Sequence, residues 1–375
     1  MDASGKIRVL VTDDSAFVRT LLADCLAENP DVEVAGTARN GEEALAKVRK
    51  LAPDVITLDV EMPLLNGIET LERLMRETPL PVIMLSSLTS KGAETTIRCL
   101  EAGAFDFIEK PVLRGGEGLT AFRRTLAEKV RAAARSGATA RMRAKNRPAD
   151  ACFPRAEDPL FLPWNRADLI LVAASTGGPR ALSTLLAGLP ADFPCPVLVV
   201  QHMPKTFTAP FAGRLDQISP LRVVEAYEGF KPVAGTVAIA PGDSHLLLKG
   251  TKGNLTCSLS ALPPVNSVRP AADILFQSAA LIPDLCPITV ILTGMGRDGT
   301  EGVRALKRHK TVVLAESEES ATVWGMPRAA REAGLVNRML PLDRIAGELI
   351  RLARSRMAET AGLDPKRTAR EGGAP

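Results

Sequence analysis

What constrains this chain most is a rhythm of short, mainly apolar runs separated by segments of helix length. Up to about residue 112 the runs are 7–11, 32–35, 55–58, 82–85 and 105–108. Mainly apolar runs of that length read as buried strands, and strands alternating with helices build a parallel sheet. Leu119, Phe122, Leu126 and Val130 then recur at intervals of three and four, the spacing of one helical face. The alternation resumes at Asp168 with DLILVAASTGG and continues to about Arg354, with further runs at 197–200, 237–240, 288–292 and 311–315. The 375 residues thus divide into two α/β blocks, as expected at about 100–200 residues per domain.

Between the blocks the composition changes. Nine basic residues and one acid, Glu128, lie between Arg123 and Arg147, and Pro148, Pro154, Pro159 and Pro163 follow. This reads as a linker over 123–166, either simply solvated or docking on an acidic partner. The expected division is a domain at 1–122, the linker, a domain at 167–355 and a frayed tail at 356–375. Charge narrows the partners: 47 Lys and Arg against 43 Asp and Glu give +4, too little to argue for nucleic acid. Six cysteines without a CxxC pair read as reduced thiols rather than disulfides or a zinc site. The polar, then acidic start is no signal peptide, and the apolar runs fall well short of the ~18–20 residues of a membrane span. A soluble, cytoplasmic protein without membrane insertion is expected.

In the first block Asp13 and Asp14 directly follow the first run, and Asp59 follows the third. Loops at the carboxyl ends of parallel strands line one crevice. Three carboxylates there repel each other unless a hard cation intervenes, and Mg²⁺ suits a site of few carboxylates and retained waters. Ser86 ends the fourth run and Lys110-Pro111 follows the fifth, adding a hydroxyl and an ammonium able to meet phosphoryl oxygens. One strand-end Asp is explained by helix capping, but so many chemically matched strand ends are not. These residues resemble the receiver domain of response regulators. The resemblance implies a flavodoxin-like fold, Asp13 and Asp14 as Mg²⁺ ligands together with Asp59, Asp59 as phosphoacceptor, Ser86 and Lys110 as the switch hydroxyl and lysine, and Phe107 as the switch aromatic. Glu61-Met62-Pro63 fits too, whereas Asn66 stands where Asp is commoner.

The second block opens with a strand leading into Ser175-Thr176-Gly177-Gly178-Pro179 and a helical pattern. A Ser at a strand-to-helix turn, with glycines that expose backbone N–H groups, has the ingredients of an oxyanion site. Such a turn equally suits phosphate binding or helix capping, and Ala173 excludes the GxSxG elbow. His202 follows the run 197–200, while His245 lies in PGDSH before a strand and His309 among basic residues. Asp298 is the single carboxylate of LTGMGRDG, again after a run. A triad needs a nucleophile, a base and an acceptor that orients the base, and Ser175, His202 and Asp298, each in a loop after a run, can converge at one sheet edge.

ASTGGP, QHMP, APGDSH, RPAADILF, LTGMGRDG and WGMPRAA, in this order, resemble the catalytic domain of the chemotaxis protein-glutamate methylesterases, the CheB family. The resemblance implies a doubly wound, mainly parallel α/β esterase domain with Ser175 as nucleophile, His202 as base, Asp298 as its orienter and the Thr176 and Met295 backbone amides as oxyanion donors. It implies no cofactor in that site, a methylated chemoreceptor as substrate, a histidine kinase as phosphodonor, and an unphosphorylated receiver that covers the active-site entrance. Glu316 replaces the expected Gln and Ala271 the expected Ser. The rival readings are a non-enzymatic receiver protein, a DNA-binding regulator, and an esterase of another sensory pathway. The second is disfavoured by strand-bounded glycine loops where a recognition helix would have to lie.

Overall fold

The computed structural model describes residues 5–87, 89–111, 116–145, 167–309 and 311–354. Most of the Pro-containing segment and the tail from residue 355 lie outside them. The first unit runs β1 (Ile7–Thr12), α1 (Ala16–Ala27), β2 (Val32–Ala38), α2 (Gly41–Leu51), β3 (Val55–Asp59), α3 (Gly67–Glu77), β4 (Val82–Ser86), α4 (Ser90–Glu101), β5 (Asp106–Glu109) and α5 (Gly116–Lys145). Its strands form one parallel sheet in the order β2-β1-β3-β4-β5. Every residue of β3 and β4 is buried, so both faces are covered by helices, as their mainly apolar character requires. Polar caps start the helices: Ser15 accepts from the Val18 N–H, Asn40 from Glu43, and Asn66 forms a capping box with Glu69. Asn66 thus does locally what an Asp would do.

The basic stretch from Arg123, expected to begin a linker, is helical to Lys145. The apolar spacing simply continues past the expected boundary: Phe122, Leu126, Val130 and Ala133 are buried. The basic side chains that signalled a linker are partly ion-paired instead. Arg123 meets Glu28 at 2.6 Å, Arg131 grips Asp31 at 2.6 and 2.7 Å, and Lys129 pairs with Asp106. The Arg131 guanidinium holds the Asp31 carboxyl down at about 2.

The second unit runs β6 (Leu169–Ala174), α6 (Gly178–Ala187), β7 (Val197–Gln201), α7 (Lys205–Ile218), β8 (Arg222–Glu225), β9 (Thr236–Ile239), β10 (His245–Thr251), β11 (Asn254–Ser260), α8 (Ala272–Ala279), β12 (Pro287–Ile291), α9 (Thr300–Leu306), β13 (Val312–Glu316), α10 (Met326–Glu332), β14 (Arg338–Leu340) and α11 (Leu342–Arg354). Seven strands make a wholly parallel sheet, β14-β13-β12-β6-β7-β9-β8, while β10 and β11 pair antiparallel apart from it. Phe276, Leu275, Val303 and Leu246 pack in one cluster with Leu171, Val200 and Ala238 of the sheet.

If α5 belongs to the first unit's core as its burial indicates, Leu126→Ala should destabilise the chain by ~2–5 kcal/mol in urea unfolding. A change below about 0.5 kcal/mol, the range of ordinary surface substitutions, would contradict that placement.

Candidate functional sites

Each candidate site lies where the chain paths leaving two neighbouring strands diverge. In the first unit these are β1 and β3, which pair through Val11 with Thr57 and Thr12 with Leu58. Asp13 and Asp14 leave β1 and Asp59 closes β3, so one carboxylate oxygen from each lies within 4.8 Å of the others. Asp13 and Asp59 are buried and Asp14 is exposed. Lys110 reaches in from beyond β5, its Nζ 2.8 Å from both Asp13 Oδ2 and Asp59 Oδ2. Burial pushes the Asp59 carboxyl up to about 6 against the pull of Lys110, and Asp13 adds repulsion. The same two carboxylates outweigh burial at Lys110 and keep its ammonium charged.

Three carboxylates against one ammonium leave excess negative charge on hard oxygen donors, and this set fits a divalent cation such as Mg²⁺. Ser86 and Lys110 are neighbours, since the Lys110 N–H donates to the Ser86 carbonyl at 2.8 Å. The Ser86 hydroxyl, however, is wholly buried and accepts from Thr96 Oγ1 at 2.8 Å. Phe107 is buried on β5, with the Lys129 ammonium 5.9 Å from its ring centre.

In the second unit the diverging strands are β6 and β12. Ser175 follows β6, and its N–H donates at 3.0 Å to the Thr293 carbonyl beyond β12. Gly294 comes so close that a Cβ there would sit 2.7 Å from Ser175 Cβ. His202 follows β7, whose Gln201 is in register with Ala174, so Ser175 and His202 each stand one residue past a paired position. The His202 ring Nε2 lies 2.7 Å from Asp298 Oδ2. Asp298 Oδ2 also accepts from the Ala272 N–H at 2.6 Å, and Oδ1 from the Asp273 N–H at 3.1 Å. Those two amides open α8, so the carboxylate sits on a helix N-terminus. Burial alone would raise its pKa, but the bonds from His202 and the two amides outweigh burial and hold it below the ordinary value.

Ser175, His202 and Asp298 thus meet at one sheet edge. Among the described residues no hydrogen bond joins Ser175 Oγ to the His202 ring, a looseness common where substrate is absent. Thr176 is buried and Met295 half-buried, on the two loops that flank Ser175. Of the other histidines, His245 is completely buried.

Several residues around Ser175 have no counterpart in the sequence reading. Gln201 Nε2 donates to the carbonyls of Ser175 (3.0 Å) and His202 (3.1 Å). A Cβ at Gly178 would lie 2.0 Å from Gln201 Oε1, so this position requires glycine. Thr293 Oγ1 donates to the Thr176 carbonyl at 2.9 Å, and the Thr293 N–H donates to Glu316 Oε2 at 2.8 Å. Asp273 accepts from the Gly302 N–H at 2.7 Å and from Asn266 Nδ2 at 3.0 Å. Each of these partners is a backbone group or a residue distant in sequence, so no local spacing announces it.

A family model described as CheB methylesterase matches residues 170–349, and one described as response regulator receiver domain matches residues 9–121. The chain is 45% identical over 353 residues to the protein-glutamate methylesterase/protein-glutamine glutaminase of Geobacillus kaustophilus, covering 92% of this chain and 98% of that protein. It is 44% identical to the protein of the same name from Bacillus subtilis, covering 92% and 97%. The Thermotoga maritima CheB methylesterase catalytic domain is 44% identical, covering 50% of this chain and 98% of that one, with a TM-score of 0.48. Fold and site thus define a class, hydrolases carrying a receiver domain. Within it, the chain belongs to the protein-glutamate methylesterase/protein-glutamine glutaminase family.

Glu316 is where the chain departs from the resemblance in the interior of this site. Burial pushes its carboxyl above the ordinary value, although Thr293 and Ser320 donate to it. A raised folded-state pKa means that stability present below the unfolded value is lost as pH rises through the folded value. Glu316→Gln should therefore be the more stable protein at pH 8, with the difference in thermal midpoint vanishing below about pH 4. An equal or lower midpoint at pH 8 would show that the charge is accommodated without cost.

Proposed function

We propose that this methylesterase is a phosphorylation-gated serine esterase that hydrolyses glutamate γ-methyl esters on the cytoplasmic helices of a chemoreceptor and releases methanol. The observation that carries the reading is the Asp298–His202 pair at 2.7 Å, at the same sheet edge as Ser175. Ser175 Oγ attacks the ester carbonyl while His202 takes its proton, and His202 returns the proton to the departing methoxide. Asp298 holds the ring in orientation and stabilises the imidazolium that forms. The backbone amides of Thr176 and Met295 face the oxyanion of the tetrahedral intermediate. Water, activated by His202, then cleaves the acyl-enzyme. Receptor glutamine is a second substrate of the same machinery, with ammonia as the poorer leaving group, in keeping with the double name of the relatives.

Asp59 is the phosphoacceptor, supplied by a histidine kinase. Asp13, Asp14 and Asp59 would hold Mg²⁺, which when bound neutralises the carboxylates and the incoming phosphoryl oxygens. Lys110 exchanges its Asp59 contact for the phosphoryl group, Ser86 leaves Thr96 to meet another phosphoryl oxygen, and Phe107 follows as the switch aromatic. Phosphorylation opens access to Ser175, and a differential of a few kcal/mol between states suffices to change the open population strongly. The working division is a receiver that includes α5, a connecting segment up to about residue 166, and a catalytic domain at 167–355. No helix among the described residues is long and apolar enough to cross a membrane. The chain acts in the cytoplasm, where receptor helices and kinase are both accessible.

One assay tests both parts: methanol release from methylated receptor by the full chain, with and without a small phosphodonor plus Mg²⁺. Activation by the phosphodonor is expected, together with its loss in Asp59→Asn and near-complete loss of all turnover in Ser175→Ala. Unchanged turnover in Ser175→Ala would refute the nucleophile, and indifference to the phosphodonor would refute gating alone.

A further inference from the structure

The completely buried His245 plays no part in the chemistry described above, yet both of its ring nitrogens are engaged. Nδ1 accepts from the Ala271 N–H at 3.1 Å, so Nδ1 carries no proton. Nε2, 3.1 Å from the Pro263 carbonyl, must then be the protonated nitrogen and the donor. The ring is neutral and its tautomer is fixed by its two partners. The peptide it grips is the one immediately before the α8 amides that carry Asp298: Ala271 N–H goes to His245, Ala272 N–H and Asp273 N–H go to the carboxylate. The N-cap residue of α8, Ala271, has no side chain to cap the helix, so its first amides are held from outside, by Asp298. The Ala271–His245 bond thus restrains the peptide that leads into the α8 N-terminus, beside the ties of Asp273 to Gly302 and Asn266, and so bears on where the amides meet the carboxylate that contacts His202.

We infer that His245 is a positioning residue of the esterase, acting through the Ala271 amide and Asp298 on the orientation of the His202 ring. The inference rests on the reading of Asp298 as the orienting partner of His202. It assigns the effect to one nitrogen, because only Nδ1 faces the Asp298-bearing peptide, while Nε2 merely ties the 263 segment.

Two near-isosteric replacements separate the nitrogens. Asparagine places its carbonyl oxygen near the position of Nδ1 and keeps an acceptor for Ala271. Glutamine places its amide nitrogen near the position of Nε2 and keeps only the donor to Pro263. With phosphodonor-activated full-length protein, His245→Asn should keep kcat within about threefold, whereas His245→Gln should lose about tenfold or more in kcat at unchanged KM, since small misplacements of catalytic groups cost that much. In an Asp298→Asn background His245→Gln should cost less than about twofold further, as expected of residues acting as a unit. Equal rates for the two variants, a loss carried in KM, or multiplicative losses with Asp298→Asn would overturn the assignment. Should either replacement fail to fold, ¹⁵N NMR of the wild-type histidines decides: a neutral ring protonated at Nε2 is expected, and protonation at Nδ1 would overturn it. Ser175→Ala is the control, because its retained activity would sink the esterase reading itself rather than the role of His245.

Discussion

The catalytic unit depends on the buried carboxylate of Asp298. It takes N–H bonds from the first amides of α8 on one side and contacts the His202 ring on the other, joining the strand-end loop after β12 to the helix N-terminus and to the loop after β7. Burial opposes the charge, and the sum of these donors restores it. A charged, immobile acceptor is what an imidazole needs to hold one orientation while a proton arrives at its other nitrogen. The neighbouring Asp273 shows the opposite balance: burial, with Asp298 beside it, raises its carboxyl despite bonds from Gly302 and Asn266. Two adjacent acids thus have their affinities for protons pushed apart, and only Asp298 meets the histidine.

The receiver uses the same geometric device for different chemistry. Both sheets bring their reactive groups to the carboxyl ends of strands whose outgoing loops diverge, because such loops leave a crevice between them. In the catalytic unit one acid is satisfied by hydrogen-bond donors. In the receiver three acids crowd together and Lys110 is the cation that ion-pairs with their carboxylates, leaving a charge imbalance suited to a divalent ion and a phosphoryl group. The first arrangement is rigid by satisfaction, whereas the second is poised to reorganise.

The positions of Asp13, Asp59, Ser175, His202 and Asp298 were legible because each lies in the segment that follows a mainly apolar run, and such runs become central strands. The central strands were legible for the same reason. The edge strand β14 has three half-buried residues, β8 starts with an exposed Arg222, and the β10–β11 ribbon mixes polar with apolar positions, so none produced a clean signal. The domain boundary was drawn at 122 because composition changes at Arg123, although the helical spacing already ran through Leu126 and Val130, and buried Ala133 continues that face. The hydrogen-bonding roles of His245, Gln201 and Thr293 were not legible because their partners include backbone groups supplied by remote loops. Ala271 and Glu316 were visible as departures from the resemblance, but only the structure shows that one is the N-cap of α8, its amide held by His245, and that the other accepts from the Thr293 amide.

The claim that these converging strand ends form a covalent catalyst is tested most directly by trapping the intermediate. Full-length, phosphodonor-activated protein can be acid-quenched during turnover of a peptide carrying a glutamate γ-methyl ester, then digested and weighed by mass spectrometry. The account predicts an acyl adduct on the peptide containing Ser175, formed in the wild type and missing from His202→Ala. Turnover that proceeds with no adduct at any time point, or an adduct on a different residue, would contradict it.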